Sequence, residues 1–246
     1  MTMERRPSQQ GDGIHLTAAE LIALRPRCHA LQLPMRQAAA SALAGAYRSR
    51  FRGRGVDFLE SRNYQPGDDI RNMDWRVTAR TGRAHTKVFQ EERERPVLVV
   101  LDATPSLFFG TRRVLKSVAA GQMAAAVAWS AVRRGDRIGG FLFAAGKHRE
   151  LRPAGGRRGA MRMIQGLVEW LQPETAGEAM QQQQVEPLSA ALERVRHAVR
   201  PGSLVIIISD FFSLDEDCNR HLSRLRQHND VIGCQVLDSA EHLLPA

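Results

Sequence analysis

The chain has 246 residues, 43% of them hydrophobic, and a formal net charge of +9. This length allows one large domain, or an α/β domain with a smaller companion. No apolar run approaches the roughly 20 residues of a membrane-spanning helix, and the polar N-terminus lacks the apolar segment of a signal peptide. We therefore expect a cytoplasmic protein with no membrane span, in which residues 1–13 form a disordered tail.

The positive charge comes mostly from arginine, which clusters in residues 48–55 and 155–162. A basic balance favours acidic or phosphate-bearing partners through long-range attraction. The first cluster, RSRFRGRG, contains a single aromatic residue, which is too few for a base-stacking platform. We interpret the clusters mainly as solvated loops and keep a nucleic-acid-binding protein as the alternative function.

The cysteines are odd in number and far apart, at Cys28, Cys218 and Cys234. Their spacing matches neither a zinc site nor a redox motif. We expect free thiols in a reducing compartment.

Residues 14–95 predict helices followed by a β-hairpin. Thr17 and Glu20 form a capping box that opens a helix over residues 18–25, and an alanine-rich stretch predicts a second helix over residues 35–46. Residues 56–64 and 85–93 alternate in hydrophobicity, as half-buried strands do. We treat residues 14–95 as an N-terminal extension.

The segment between these strands concentrates turn formers, charges and one large aromatic side chain: Pro66, Gly67, Asp68, Asp69, Arg71, Asp74 and Trp75. Pro-Gly indicates a turn, and either of the first two aspartates can cap the helical turn that follows. We interpret the segment as structural, with Arg71 pairing with the acids and Trp75 covering the edge of the sheet. The alternative is a docking surface, because arginine and aromatic residues dominate interface energetics.

From residue 96 onward, apolar strands alternate with helices. The predicted strands are residues 97–102, 136–145, 203–210 and 230–238, with 147–153 as an added edge strand, and the predicted helices are 111–135, 159–172, 187–199 and 214–228. Continuous apolar strands separated by helices predict an α/β domain with a mostly parallel sheet and helices on both faces, over residues 96–246. Ligands bind beyond the carboxyl ends of the strands in such sheets.

Sequence motifs for several kinds of catalysis are missing. Gly146-Lys147 is followed by His148 and lacks the glycine spacing of a phosphate-binding loop, and neither G-x-S-x-G nor G-x-G-x-x-G after a strand is present. A magnesium-dependent phosphatase or nuclease would use the acidic strand ends, but no suitable general base lies near them. We expect a protein without enzymatic activity.

Two of the most apolar strands end in aspartates, Asp102 and Asp210, and Thr104 and Ser106 follow the first of them. If both strands are central and parallel, these side chains meet at one edge of the sheet. Carboxylate and hydroxyl oxygens suit Mg²⁺, which usually keeps several waters. The sequence therefore predicts a Mg²⁺ or Mn²⁺ site through which an acidic group of a partner protein is bound.

The Asp-x-Thr-x-Ser motif with a distal Ser-Asp resembles the metal-ion-dependent adhesion site of von Willebrand factor A domains. Residues 62–80, RNYQPGDDIRNMDWRVTAR, and 87–94, KVFQEERE, resemble the signature of the bacterial domain of unknown function 58 family, and the likeness extends from Gly55 to Leu243. The resemblance implies a von Willebrand factor A-like, Rossmann-like fold. Members of this family tend to be encoded beside MoxR-type AAA+ ATPases. This implies an adaptor or partner of such an ATPase in protein maturation or stress response, with other von Willebrand A-domain proteins as further partners.

The metal site that the resemblance implies consists of Asp102, Thr104, Ser106, Asp210 and Glu186. Glu186 stands where the full adhesion motif has a threonine, so this ligand set departs from the motif. The alternative interpretation is a metal-free site in which Asp102 and Asp210 cap the ends of their strands.

Overall fold

The computed structural model describes residues 11–33, 56–91, 95–144, 146–174 and 187–242. The predicted disordered tail covers residues 1–13, of which 1–10 lie outside these ranges. Its last residue, Gly13, is instead buried, and its carbonyl accepts a hydrogen bond of 2.8 Å from Leu115 N. The predicted helix over residues 35–46, the first arginine cluster and Glu186 also lie outside the described ranges. The chain divides into two compact units: residues 56–91 belong to the smaller one, and all other described residues belong to the larger. No helix within the described ranges is long and apolar enough to cross a membrane.

Six helices and seven strands are named here in chain order. The helices are α1 (Ala18–Ala23), α2 (Trp75–Thr81), α3 (Lys116–Arg133), α4 (Gly156–Trp170), α5 (Leu188–Ala198) and α6 (Glu216–Arg226). The strands are β1 (Val56–Asn63), β2 (His85–Glu91), β3 (Pro96–Asp102), β4 (Arg137–Ala144), β5 (Lys147–Ala154), β6 (Leu204–Ser209) and β7 (Asp230–Gln235). Short 3₁₀ segments cover Arg25–Ala30, Ile70–Asn72, Pro105–Phe108 and Ser239–His242.

Helix α1 belongs to the larger unit and packs against α3 and α4. Half of its predicted capping box is present, since the Thr17 hydroxyl accepts a hydrogen bond of 3.3 Å from the backbone nitrogen of Glu20, whereas the Glu20 carboxylate turns to Gln122. Two long-range hydrogen bonds then tie α1 to α3: Trp129 Nε1 donates to the Leu21 carbonyl at 3.0 Å, and Gln122 donates to Glu20 at 2.9 Å. The predicted division at residue 95 groups this segment with the hairpin. In the structure α1 packs on α3 instead. These contacts join residues more than 100 positions apart, so local sequence patterns do not predict them.

The smaller unit is an antiparallel hairpin of β1 and β2 with an irregularity between Phe58 and Glu60. The predicted turn is present, with Gly67 at a positive φ of 102°, a conformation that glycine adopts without a steric penalty. The Asp69 side chain caps the following 3₁₀ turn by accepting from Arg71 N at 3.0 Å, and Asp74 caps α2 by accepting from Val77 N at 3.1 Å.

One expectation for this segment is wrong, and the other stays a prediction. Within the smaller unit Trp75 is 64% exposed and the buried residue at the start of α2 is the cap Asp74, so a covering role of Trp75 on the five-stranded sheet stays a prediction. The expected pairing of Arg71 with the acids is wrong. Asp68 forms an ion pair of 2.8 Å with Arg62 at the end of β1, which faces the turn. Arg71 instead donates its backbone N–H to the Asp69 cap.

The larger unit contains a five-stranded sheet with the order β5-β4-β3-β6-β7. Strand β3 pairs in parallel with both β4 and β6, and β6 pairs in parallel with β7. Strand β5 returns antiparallel to β4 and forms one edge, as the sequence predicts. The chain is therefore a mixed α/β protein with a mostly parallel sheet.

Helices cover both faces of this sheet, which explains why the central strands are apolar throughout. Alternate β3 residues Val97, Val99 and Leu101 pack in one cluster with α3 and α4. Leu98 and Val100 pack in the other cluster with α5 and α6. Full burial of such a side chain contributes about 1.5–3 kcal/mol, so these two clusters fix the positions of the strand ends.

Candidate functional site

The candidate site lies where the connections of the sheet diverge. After β3 the chain passes through α3 to β4 on one side, whereas β6 lies on the other side of β3. Leu101 is opposite Ile208 in the parallel pair of β3 and β6, so Asp102 and Asp210 emerge at the same edge. The prediction that these aspartates end neighbouring parallel strands is confirmed. Such a switch point forms a crevice that binds ligands in open α/β sheets.

Asp102 organises the loop that follows β3. Its Oδ1 accepts hydrogen bonds from the backbone nitrogen of Thr104 at 2.8 Å and from the Thr104 hydroxyl at 2.6 Å. Its Oδ2 accepts from the Ser209 hydroxyl at 2.6 Å, which joins the ends of β3 and β6. The Thr104 and Ser106 hydroxyls lie 3.2 Å apart. The structure thus brings Asp102, Thr104 and Ser106 together, as the sequence predicts.

Burial raises the pKa of the Asp102 carboxyl above its usual value, and the nearby charge of Asp210 raises it further. Hydrogen bonds from Ser209 and Thr104 act in the opposite direction, because they stabilise the ionised form. Two carboxyl groups in a buried crevice repel each other, so the site favours a neighbouring positive charge.

That positive charge comes from Lys116, a residue that the sequence analysis missed. Lys116 is the first residue of α3 and is buried. Its ammonium nitrogen Nζ lies 3.1 Å from Asp210 Oδ2 and 2.6 Å from Glu241 Oε1, and it is 4.8 Å from the centre of the Phe212 ring. The helix dipole disfavours a cation at a helix N-terminus, so the two carboxylates have to stabilise this ammonium.

A sequence signal for Lys116 exists in the spacing of α3. Lys116 precedes Ala120, Ala124 and Ala128 at four-residue intervals, and all three alanines are completely buried. Residues four apart share one face of a helix, so Lys116 lies on the buried stripe of α3. Arg112 and Arg113 lie close by in the same basic stretch, so composition alone suggests that Lys116 is an exposed charge.

The predicted metal ligands, as they are arranged, do not fit a divalent ion that uses Asp210. The Lys116 ammonium lies against the Asp210 carboxylate, and both Asp102 oxygens already accept strong hydrogen bonds. A divalent ion beside the buried ammonium would also be repelled by it. Glu186 lies outside the described residues.

A segment near the C-terminus closes one side of the crevice. Asp238 accepts hydrogen bonds from the backbone nitrogen of Thr111 at 3.0 Å and from the Thr111 hydroxyl. These bonds lower the pKa of Asp238, the side-chain bond most of all. Glu241 Oε2 accepts from Asp238 N at 2.8 Å while Oε1 accepts from Lys116. The segment is thereby attached both to the loop after β3 and to the first residue of α3.

Residues 60–246 match the family model described as "Protein of unknown function DUF58". The chain belongs to this family. The uncharacterized proteins Rv1480 of Mycobacterium tuberculosis and Mb1516 of Mycobacterium bovis are each 30% identical to it over 215 residues. The match covers 87% of this chain and 65% of each relative, so the chain spans about two thirds of their length. Manganese-loaded TRAP protein of Plasmodium vivax is similar over 60% of each chain, at 16% identity and a TM-score of 0.39.

Exposed apolar side chains border the crevice of this DUF58 protein. Phe109 lies in the loop after β3, and Phe212 and Leu214 lie in the loop after β6. Phe109 also accepts a backbone hydrogen bond of 2.8 Å from Lys116 N. Between Asp210 and Phe212, Phe211 adopts a positive φ of 61°, which is uncommon for a bulky residue and is often found at functional sites. We call Phe109, Phe212 and Leu214 the apolar rim.

Proposed function

We propose that this protein is a non-enzymatic interaction module whose contact face is the crevice at the carboxyl ends of β3 and β6. The apolar rim carries the proposal, because it places exposed large side chains around a buried cluster of charges. Protein interfaces combine apolar anchors with charged groups that are shielded from water. The same edge carries none of the sequence motifs of nucleotide hydrolysis or acyl transfer.

We also propose that the fold is of the von Willebrand factor A type. The position of the Asp-x-Thr-x-Ser motif at the end of β3, beside Ser-Asp at the end of β6, supports this assignment. In such a fold, Mg²⁺ or Mn²⁺ at this edge would supply a cation for a partner's carboxylate. Asp102, Thr104 and Ser106 could hold such an ion here only if Lys116 left Asp210.

The partner that the family resemblance implies is a MoxR-type AAA+ ATPase, with this protein as its adaptor or substrate-side partner in protein maturation or stress response. Other von Willebrand A-domain proteins are further proposed partners. Such an ATPase acts in the cytoplasm, where we place this protein.

The test compares two double substitutions of similar exposure. Phe212→Ser with Leu214→Ser removes two rim residues that are 61% and 51% exposed, and Ile70→Ser with Trp75→Ser removes two that are 63% and 64% exposed in the smaller unit. Binding to the MoxR-type ATPase of the native host is measured by calorimetry, and melting temperature is measured in parallel. We expect the rim variant to bind at least tenfold more weakly with little change in melting. Loss of affinity in the Ile70/Trp75 variant alone would place the contact on the hairpin unit.

Nucleic-acid binding is the second candidate function. Arg157, Arg158 and Arg162 are exposed on the first turns of α4, which gives this alternative one described basic surface. Affinity for DNA or RNA through phosphates must fall steeply with added salt. Binding to random-sequence oligonucleotides at low and physiological salt separates this function from protein binding through the apolar rim.

A further inference from the structure

The hydrogen-bonding groups of Lys116 define what the crevice can bind. An ammonium group has three donors and no acceptor. Two of these donors point to Asp210 Oδ2 and Glu241 Oε1, and the Phe212 ring faces the same nitrogen in a cation–π contact. A ligand atom that replaces one of these partners has to be an acceptor, and a carboxylate also balances the charge.

The two carboxylates differ in how they reach Lys116. Asp210 follows a central strand, and its side chain is 3% exposed. Glu241 belongs to a short segment after β7, its side chain is 15% exposed, and it forms the shorter contact, 2.6 Å. Withdrawal of Asp210 would disturb the sheet. Withdrawal of Glu241 requires only that residues 238–241 separate from Thr111 and Lys116.

We propose that Lys116 is the built-in cation of the crevice and that Glu241 is its internal ligand, which an acidic side chain of a partner protein replaces on binding. The inference rests on the proposed function of the crevice as a contact face. It assigns the partner's contacting group as an aspartate or glutamate with a neighbouring apolar residue. The carboxylate takes the place of Glu241 on Lys116, and the apolar residue packs against Phe212 in the rim.

Charge supports this occupant. With Glu241 withdrawn, the buried ammonium keeps one carboxylate, Asp210, while Asp102 is occupied by its own hydroxyl donors. A second carboxylate restores the present arrangement without a divalent ion. A basic segment would be repelled by the buried ammonium, and a neutral acceptor would satisfy its free donor without balancing its charge. The internal ligand also competes with the partner, at an effective concentration of about millimolar.

The test supplies the internal segment as a separate peptide. The probe is a fluorescent peptide of residues 236–246, VLDSAEHLLPA, and the control peptide has Gln at the position of Glu241. The full chain is used as wild type, as the loosened variant Asp238→Asn/Glu241→Gln, and as Asp217→Asn, which removes an exposed carboxylate from α6. Peptide binding is followed by fluorescence anisotropy. Melting temperature confirms that each variant is folded.

We expect the probe to bind the loosened variant at least tenfold more tightly than wild type or Asp217→Asn, and the control peptide to lose this gain. Adding Lys116→Met to the loosened variant should abolish binding. The inference is overturned if both peptides bind alike, or if the loosened variant binds the probe no better than wild type. The peptide comparison stands whether or not Lys116→Met folds.

A separate measurement tests the proposed function. Glu241→Gln should bind the MoxR-type ATPase at least tenfold more tightly than wild type, because the internal competitor is weakened. If the peptide results hold but the ATPase binds both forms equally, Glu241 is still the internal ligand and the crevice is not the contact face for that ATPase.

Discussion

The ammonium nitrogen of Lys116 lies 3.1 Å from Oδ2 of Asp210, and neither side chain is more than 3% exposed. A buried ion pair of this kind contributes little compared with apolar residues of the same shape, but losing one partner leaves a charge that water cannot reach. The pair therefore links the stability of the larger unit to the chemistry of the crevice.

Lys116→Met should lower the free energy of unfolding by about 3–5 kcal/mol, because it leaves Asp210 buried without its cation. Adding Asp210→Asn should recover part of that loss, since the remaining amide carries no charge. Urea denaturation of the two single variants and the double variant measures the coupling between the two side chains. Strictly additive effects would contradict the pairing. Arg220→Met, which breaks the exposed pair with Asp217, is the control and should change stability little.

The three cysteine thiols should react slowly in the folded protein. Burial raises the pKa of Cys28 and of Cys234, and it raises the pKa of Cys218 to about 11. The thiolate is the reactive form, so a raised pKa leaves little of it at neutral pH. We expect slow labelling by Ellman's reagent at pH 7, a faster rate as the pH rises, and complete labelling after unfolding in guanidinium. Rapid stoichiometric labelling of the native chain at pH 7 would contradict this prediction.

The sequence was sufficient to predict the sheet and half of the site. The apolar runs that became β3 and β6 are long and end in aspartates, so their direction and edge follow from general rules of α/β folds. Asp102, Thr104 and Ser106 are close in sequence, and one strand end brings them together.

The rest of the site depends on contacts between distant parts of the chain. Lys116 meets Asp210 across 94 positions and Glu241 across 125, and no local pattern marks these pairs. The sequence around Asp102 and Asp210 does not indicate whether these strand ends are exposed or buried. Both are buried: Asp102 accepts hydrogen bonds from Thr104 and Ser209, and Asp210 lies against Lys116. Alanine at either position should therefore reduce stability as well as binding.

Trp75→Ala should leave the melting temperature within error of wild type. A covering role for Trp75, as the sequence predicts, would make this substitution lower stability. Its exposed fraction of 64% predicts a small effect, because exposed side chains bury little apolar area. Differential scanning calorimetry of Trp75→Ala, with the buried Leu101→Ala as a reference that should cost about 2–5 kcal/mol, checks this. A large loss for Trp75→Ala would show that Trp75 contacts another part of the chain.

Divalent metal should leave the melting temperature of wild type unchanged, whereas Lys116→Met should gain a response to it. A ligand that binds only the folded state raises the melting temperature by mass action. In wild type the ammonium of Lys116 pairs with the carboxylates of Asp210 and Glu241, so among the described residues these two are not free to bind Mg²⁺ or Mn²⁺ at about millimolar concentration. In Lys116→Met these two carboxylates lose the cation that they share, and a divalent ion can neutralise them. Thermal melting with and without Mn²⁺ measures both effects, and Lys116→Met/Asp210→Asn is the control that should lose the gain. A metal-dependent rise in wild type would mean that the ion displaces the ammonium, in which case the crevice works as a metal-dependent adhesion site.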